Sequence, residues 1–339
     1  MSCEVSVIVP AFNVEAYIGN TLRSIFRQTL NKVELIIVYD ESSSDNTMNE
    51  ISRTINYYKD SEINVRIIKV KEANVSISRN MGLEMARGKY VFFLDGDDYI
   101  DKYCLEKLYT TARGYGADVT FCGFDVVYEN GKILERYSDR FEYLDHPVDG
   151  IKALKLFLSN RIWLWTGSVL YRRDFLKDNK IVYDPRFSYG EDQLFNIMCL
   201  FNAKIVHCVR KSLSYYVQRK NSLTKKITLK NIDYPLAMLE AYRYLELHGA
   251  DTEVLNYMEN YRIPLSVLYT LISFKLNGLY NEFKEKYDEE FFLNHLRKLR
   301  FGPKIIREYV AAKLFLLGLD FFFIIYRRLK HASWGRRVR

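Results

Sequence analysis

Cysteine is sparse and unpatterned in this 339-residue chain. Cys3, Cys104, Cys122, Cys199 and Cys208 form no CxxC pair and show no metal-ligand spacing. An odd, scattered set argues against a disulfide framework and fits buried thiols in a reducing compartment. The glycine-rich phosphate loops are missing as well, with no GxGxxG and no GxxxxGK. No internal repeat or low-complexity stretch stands out. MSCEVSVIVP runs straight into what reads as a core strand, so no signal peptide is expected. An excess of charge is absent over most of the length. Residues 300–339 carry ten Lys/Arg against Glu308 and Asp320, which accounts for the whole net charge of +8. A body neutral on balance argues against nucleic-acid binding and leaves anionic lipid as the partner of the basic tail.

What is present suits a large packed core: 48% hydrophobic and 15% aromatic residues. The length predicts two or three domains. Residues 5–9 are a continuous apolar, β-branched run, the mark of a strand buried on both faces. Asn13 is placed to cap a helix reaching about Gln28. A second strand is predicted at 33–38, then a helix start near Asp45 after the polar run DESSSDNT. A third strand follows at 65–70. A helix from about Ser76 is expected to end near Gly88, and a fourth strand at 90–94. Such alternation predicts a parallel sheet covered by helices on both faces, with ligands beyond the carboxyl ends of its strands. From about residue 100 the pattern is mixed, with a strand at 118–127 and helices at 148–158 and 190–201. From about 228 it turns to long helical segments.

The fourth strand runs into LDGDD, which sets Asp95, Asp97 and Asp98 within four residues. Like charges that close repel, and a buried one is costly without a partner. If the strand persists, Asp95 and Asp97 project together and Asp98 begins the turn. A solvated turn is one reading. An EF-hand loop fails, because Tyr99 and Ile100 fall where an oxygen ligand and a glycine belong. A divalent cation bridging these carboxylates to a diphosphate is the third reading.

VSVIVPAFNVEAYIGNTLRSIFRQTL, LIIVYDESSSDNT and ANVSISRNMGLEMARGKYVFFLDGDDYI together resemble family 2 glycosyltransferases with the GT-A fold. WTGSVLYRRDFL, YGEDQLFN and LSYYVQRKNSLT resemble the acceptor half of the bacterial polysaccharide and glycan branch. The resemblance covers roughly residues 4–225. It implies an α/β, Rossmann-like, mostly parallel GT-A sheet followed by a C-terminal helical region. The domains expected are a catalytic domain at 1–225, with a nucleotide-sugar half at 1–100 and an acceptor half at 101–225, then a helical region at 226–299 and the basic tail at 300–339.

The resemblance also implies roles. Asp95 contacts the nucleotide ribose, and Asp97 holds Mn²⁺ or Mg²⁺ on the donor diphosphate; Asp98 supports the loop. Asp40 and Glu41 stand where the family's paired aspartates touch the base and ribose, with Glu41 in place of the second and one methylene longer. Phe12, after Pro10, stacks on the base or staples the first helix. Arg79, followed by Asn80, lies near the nucleotide or is a surface residue of its helix. In YGED, the acids suit a helix first turn on their own account. The resemblance makes Asp192 the general base, with Glu191 as the fallback. Arg219 and Lys220 close over the diphosphate or form a solvated loop. His146, His207, His248, His295 and His331 lie outside every matched block.

The implied reaction is an inverting transfer of one sugar from a nucleotide-sugar, UDP being the family's commonest nucleotide, to a lipid-linked glycan or surface-polysaccharide precursor. The processive QxxRW signature is missing. Two alternatives stay open: a polyprenyl-phosphate sugar synthase and a non-catalytic GT-A-like binding protein. In the tail, residues 309–326 are strongly apolar but near the lower limit for a span. Lys313, Asp320 and Arg327 recur every seven residues, which predicts a helix lying in the membrane interface. A helix buried in the domain or in a homodimer is the alternative. The expected location is the cytoplasmic face of the cell membrane, as a peripheral or monotopic protein.

Overall fold

Strand β1 (Val5–Ala11) is buried on both sides, with only Pro10 partly open. In the computed structural model, which describes residues 3–71, 74–219 and 227–319, β1 is an inner strand of a mixed sheet. The chain continues through α1 (Glu15–Phe26), β2 (Val33–Asp40), α2 (Thr47–Tyr57), β3 (Asn64–Val70), α3 (Val75–Met85) and β4 (Tyr90–Phe93). These first four strands lie parallel in the order β3-β2-β1-β4. The order reverses at β1, so a crevice opens beyond the carboxyl ends of β1 and β4.

Period-two burial assigns the helices to the faces. Val5, Val7 and Val9 pack with Ile18, Leu22 and Ile25 of α1, Ile51 of α2, and Leu105 and Leu108 of α4 (Cys104–Tyr115). The opposite face meets α3 so closely that a Cβ on Gly82 would stand 2.3 Å from Ile8. On that face Phe93 packs edge-on against Phe195 of α7 (Glu191–Asn202), with ring centroids 5.9 Å apart.

Beyond β4 the sheet departs from the parallel expectation. The remaining elements are β5 (Tyr99–Ile100), β6 (Val119–Tyr128), β7 (Ile133–Glu135), α5 (Gly150–Leu158), β8 (Val169–Arg172), α6 (Arg173–Asp178) and β9 (Val206–Gln218). β8 enters antiparallel between β4 and β6, and β9 returns parallel to β6. The sheet continues β4-β8-β6-β9-β5, with β7 on β6.

Two local expectations need correction. Asn13 does not cap α1 with its side chain; it takes a left-handed φ of 50°. The free N–H groups of the first turn are met from across the chain instead: Val14 N donates to Thr47 Oγ1 and Glu15 N to Asp45 Oδ2, both at 2.9 Å. Nor does Gly88 terminate α3, whose last residue is Met85. Gly88 lets the backbone touch β1, where a Cβ would meet Ser6 N at 2.5 Å.

The chain divides into two compact units, Met1–Arg186 with Glu191–Ser222 and Phe187–Gly190 with Leu223–Arg339. The second unit is helical where described: α8 (Asp233–Leu247), α9 (Thr252–Tyr257), α10 (Ile263–Leu276), α11 (Tyr280–Lys286), α12 (Glu289–Arg297) and α13 (Ile306–Leu316). α10 is its axis, burying Ile263, Val267, Leu268, Leu271 and Phe274 around its circumference, as an all-round apolar helix must. Phe283 joins it to α12 through ring contacts with Phe274 and Phe292 at 5.6 and 5.5 Å. On α13 Ile306, Val310 and Lys313 are exposed, and Leu317 just past its end continues that stripe. No described helix is long and apolar enough to cross a membrane. Of the predicted interfacial segment, residues 320–339 lie outside the described residues.

Candidate active site

The carboxylates after β4 stand on a turn rather than on a continued strand. Leu94 N still donates to Ile8 O at 2.9 Å, but Asp98 N then donates back to Asp95 O at 3.0 Å and closes the turn. Gly96 is wedged beneath it. Its carbonyl accepts from Thr21 Oγ1 at 2.9 Å, and a Cβ there would stand 2.8 Å from Pro10 O. β1 and α1 therefore fix the turn at the crevice.

The three aspartates have different surroundings. Asp98 is 1% exposed. Its Oδ1 accepts from Val217 N at 2.9 Å and its Oδ2 from Trp165 Nε1 at 3.0 Å. Burial, then Asp97 and Asp95 beside it, push its carboxyl well above the ordinary range. Asp98 ties the turn to β9 and to Trp165, whose ring lies 4.4 Å from that of Tyr216. Asp97 pairs with Arg219 through Oδ2. Burial pushes its carboxyl up to about 6, with Arg219 opposing and Asp95 reinforcing the shift. Asp95 accepts from Arg79 Nη2 at 2.8 Å.

Arg79 turns inward from α3, with a side chain only 4% exposed. It also donates through Nη1 to Glu191 Oε1 at 3.1 Å and lies 4.9 Å from the Tyr183 ring centroid. Burial works against its charge, yet Asp95, Tyr183 and Glu191 together raise its proton affinity above the ordinary arginine value. One guanidinium thus joins the turn after β4 to the first residue of α7. Tyr183 stacks on Phe195 at 4.0 Å. Asn80 holds Tyr183 by its backbone, donating to its O at 2.7 Å and accepting from its N at 2.8 Å. The sequence pattern assigns this Asn no role; its side chain fixes the segment that leads toward α7.

Gly190, at a left-handed φ of 81°, turns the chain into α7. Glu191 is buried; burial and then Asp192 push its carboxyl up to about 7 against the pull of Arg79. Asp192 is half-buried and accepts from Gln193 N at 2.8 Å. Desolvation raises its proton affinity while Arg79 opposes. A carboxylate whose proton affinity is raised is suited to take a proton from a hydroxyl within reach.

The residues expected on the nucleotide side follow β1 and β2. Phe12 is 38% exposed just past β1, so its ring is available for stacking. Asp40 ends β2 and is 2% exposed. Its Oδ1 accepts from Ser42 N at 2.9 Å, while its Oδ2 is buried without a partner among the described residues. Glu41 does not join it, pairing instead with Lys69 Nζ at 3.2 Å.

The cluster Asp95, Asp97, Asp98, Glu191 and Asp192 is answered by the guanidiniums of Arg79 and Arg219. That leaves a shortage of positive charge where carboxyls are already raised by burial and by one another. Oxygen donors of this type suit Mn²⁺ or Mg²⁺. Among the described residues no group of three or more His, Cys, Asp or Glu forms a cage. Asp95 and Asp97 are oxygen donors of the kind such an ion takes together with phosphate oxygens, and in this structure each carries a guanidinium. Sequence reasoning missed Tyr17, whose ring lies 5.1 Å beneath the Arg219 guanidinium and whose hydroxyl donates to Glu129 Oε1 at 2.9 Å.

The family model described as Glycosyl transferase family 2 matches residues 6–180. EpsJ of Bacillus subtilis, an uncharacterized glycosyltransferase, is 28% identical over 276 residues, 77% of this chain and 76% of EpsJ. TarS of Staphylococcus aureus, a poly(ribitol-phosphate) beta-N-acetylglucosaminyltransferase, is 27% identical over 216 residues, 63% of this chain and 35% of TarS. Residues 1–349 of TarS in complex with UDP-GlcNAc give a TM-score of 0.62 at 23% identity, covering 86% of this chain and 79% of that one. The mannosyltransferase PcManGT from Pyrobaculum calidifontis, in complex with GDP-Man and Mn²⁺, gives 0.56 at 14% identity, covering 99% and 85%. These likenesses establish the GT-A-type architecture expected from the sequence.

Proposed function

The chain belongs to glycosyl transferase family 2 and is a glycosyltransferase; from that premise we propose an inverting, metal-dependent enzyme that moves one sugar from a UDP-sugar to a hydroxyl of a lipid-linked glycan or surface-polysaccharide precursor. The observation that carries this reading is the Arg79 bridge. It links Asp95, on the donor-side turn, to Glu191, the neighbour of Asp192. Donor-side and acceptor-side carboxylates thus share one electrostatic unit. The uridine assignment is supported by the nucleotide bound to TarS, and metal dependence by the Mn²⁺ bound to PcManGT.

In this reading Asp192 takes the acceptor's hydroxyl proton while that oxygen forms its bond to the anomeric carbon. The bond from that carbon to the donor diphosphate breaks on the opposite face, inverting the centre. Glu191 holds Arg79, and Arg79 fixes Asp95. Phe12 and Asp40 receive the nucleotide, the exposed Phe12 ring stacking on its base. A Mn²⁺ or Mg²⁺ ion held by Asp97 would neutralise the leaving diphosphate.

Asp192→Asn tests the assignment. The expected result is a roughly 10²- to 10⁴-fold loss of transfer to an alcohol acceptor with UDP-sugar binding retained. Unchanged transfer overturns the base, and full transfer to a polyprenyl phosphate would favour the synthase instead. We also place the protein at the cytoplasmic membrane surface, supported by the exposed Ile306, Val310, Lys313 and Leu317 stripe and by exposed Phe301. Sedimentation with anionic vesicles tests this. Val310→Glu is expected to weaken it, and unchanged sedimentation would overturn the placement.

A further inference from the structure

Two arginines serve the carboxylate cluster, and they are held differently. Arg79 meets Asp95 and Glu191 at 2.8 and 3.1 Å, has an aromatic ring beside it, and is 4% exposed. Its charge is a fixed part of the fold. Among the described residues Arg219 pairs with Asp97 alone and is 22% exposed; its Nε, like that of Arg79, has no hydrogen-bond partner there. It rests on the Tyr17 ring and sits just past the end of β9. Two residues earlier the backbone is anchored, where Val217 N donates to Asp98. The backbone is thus fixed next to the turn, while the long side chain beyond it has an exchangeable partner.

That partner is the carboxylate assigned above to the metal. We propose that Arg219 is a built-in counter-cation for Asp97, occupying it before the substrate arrives and leaving it when a divalent cation binds, so that metal and nucleoside diphosphate load together. This rests on the proposed metal-dependent reading and extends it. A carboxylate as buried as Asp97 is costly without a cation. Arg219 meets that need in the free protein, and its departure is favoured only when another cation takes its place. The displaced guanidinium keeps its charge in a pocket of carboxylates, and the diphosphate arriving with the metal supplies its new partner. Guanidinium matches phosphate oxygens in a bidentate manner. Metal binding alone must therefore work against Arg219, and nucleotide binding removes that opposition. By linkage each ligand then tightens the other by the same factor.

The test is Mn²⁺ binding, followed by electron paramagnetic resonance, to the full chain with and without UDP. Without UDP, Arg219→Gln is expected to bind Mn²⁺ about 10-fold tighter than the parent protein, within the usual range of coupling between sites. Arg219→Lys, which keeps a cation there, is expected to stay near the parent. Adding UDP should tighten Mn²⁺ several-fold less in R219Q than in the parent. The gain in R219Q should vanish when Asp97→Asn is added. Equal nucleotide-free Mn²⁺ affinity in the parent and R219Q, with UDP still recruiting Mn²⁺ to Asp97 in both, overturns the counter-cation role and leaves the metal reading intact. So does an R219K that binds like R219Q. Failure of UDP to recruit Asp97-dependent Mn²⁺ in any variant overturns both.

Discussion

The two ends of the same sheet treat buried carboxylates in opposite ways. At the amino end of the strands Glu34 is 4% exposed and fully answered. Its Oε1 accepts from Ser6 Oγ at 2.5 Å, Arg87 N at 2.7 Å and Gly88 N at 3.2 Å, and its Oε2 accepts from Arg66 Nη2 at 2.6 Å. Burial opposes its charge, but these donors hold the carboxyl below its ordinary range. At the carboxyl end Asp97, Asp98 and Glu191 are all raised. The chain can satisfy a buried acid, and it does so where the acid serves the fold. On the proposed reading, the shortage at the other end is what a cation and a ligand's donors would make good.

Breaking the answered end should have the largest effect on stability. Glu34→Gln takes from Arg66 its charged partner, leaving it the Met85 carbonyl, and should lower unfolding free energy by roughly 3 kcal/mol, as removal of one member of a buried pair does. Chemical denaturation measures it, and a loss under about 1 kcal/mol would mean the network contributes little. At the mouth, Gly96→Ala forces a methyl against the Pro10 carbonyl. A cost of about 1–3 kcal/mol is expected from overpacking, together with weakened nucleotide binding as the turn shifts. Alanine tolerated with full binding would show that the turn is not fixed by β1.

The contrast also has a pH signature. Glu191 and Asp97 bind protons up to about 7 and about 6 in the folded chain, against ordinary values of 4.5 and 3.8. Between those limits the folded state holds more protons than the unfolded, so raising the pH removes stability. Glu34 works the other way: its contribution is present above 4.5 and is lost as the pH falls through its lowered folded value. The melting temperature of the free protein should therefore drop as pH rises from 5 to 7, values inside that window. A rising or flat profile would contradict the raised carboxyls. The smallest expected effect is that of Glu191→Gln. Removing an acid that resists ionisation should cost no stability at neutral pH and, by flattening the pH slope, should leave the variant somewhat the more stable there. A loss as large as that of Glu34→Gln would erase the distinction.

Much of this was legible in the sequence because local patterns carry it. The buried runs at 5–9 and 33–38, the LDGDD turn and the acids opening α7 report directly on their own segments. What stayed hidden depends on partners far away in the chain. Nothing near Arg79 signals that Glu191 awaits it, and nothing near Asp98 signals Trp165. Asn13 has the residue type of a cap, yet Asp45 and Thr47, at the start of α2, do the capping. The antiparallel entry of β8 is likewise a matter of pairing, which periodicity along one strand does not encode.

At the mouth of the sheet, on this reading, the carboxylates are completed by a cation that arrives with a nucleoside diphosphate. Thermal unfolding of the intact protein with UDP, with Mn²⁺ and with both tests it most directly, since a ligand that binds the folded state raises its stability with occupancy. The expected result is that the pair raises the melting temperature well beyond the sum of the two separate shifts, and that Asp97→Asn abolishes the excess. An equal shift with UDP alone, unaffected by Mn²⁺ or by Asp97→Asn, would contradict it.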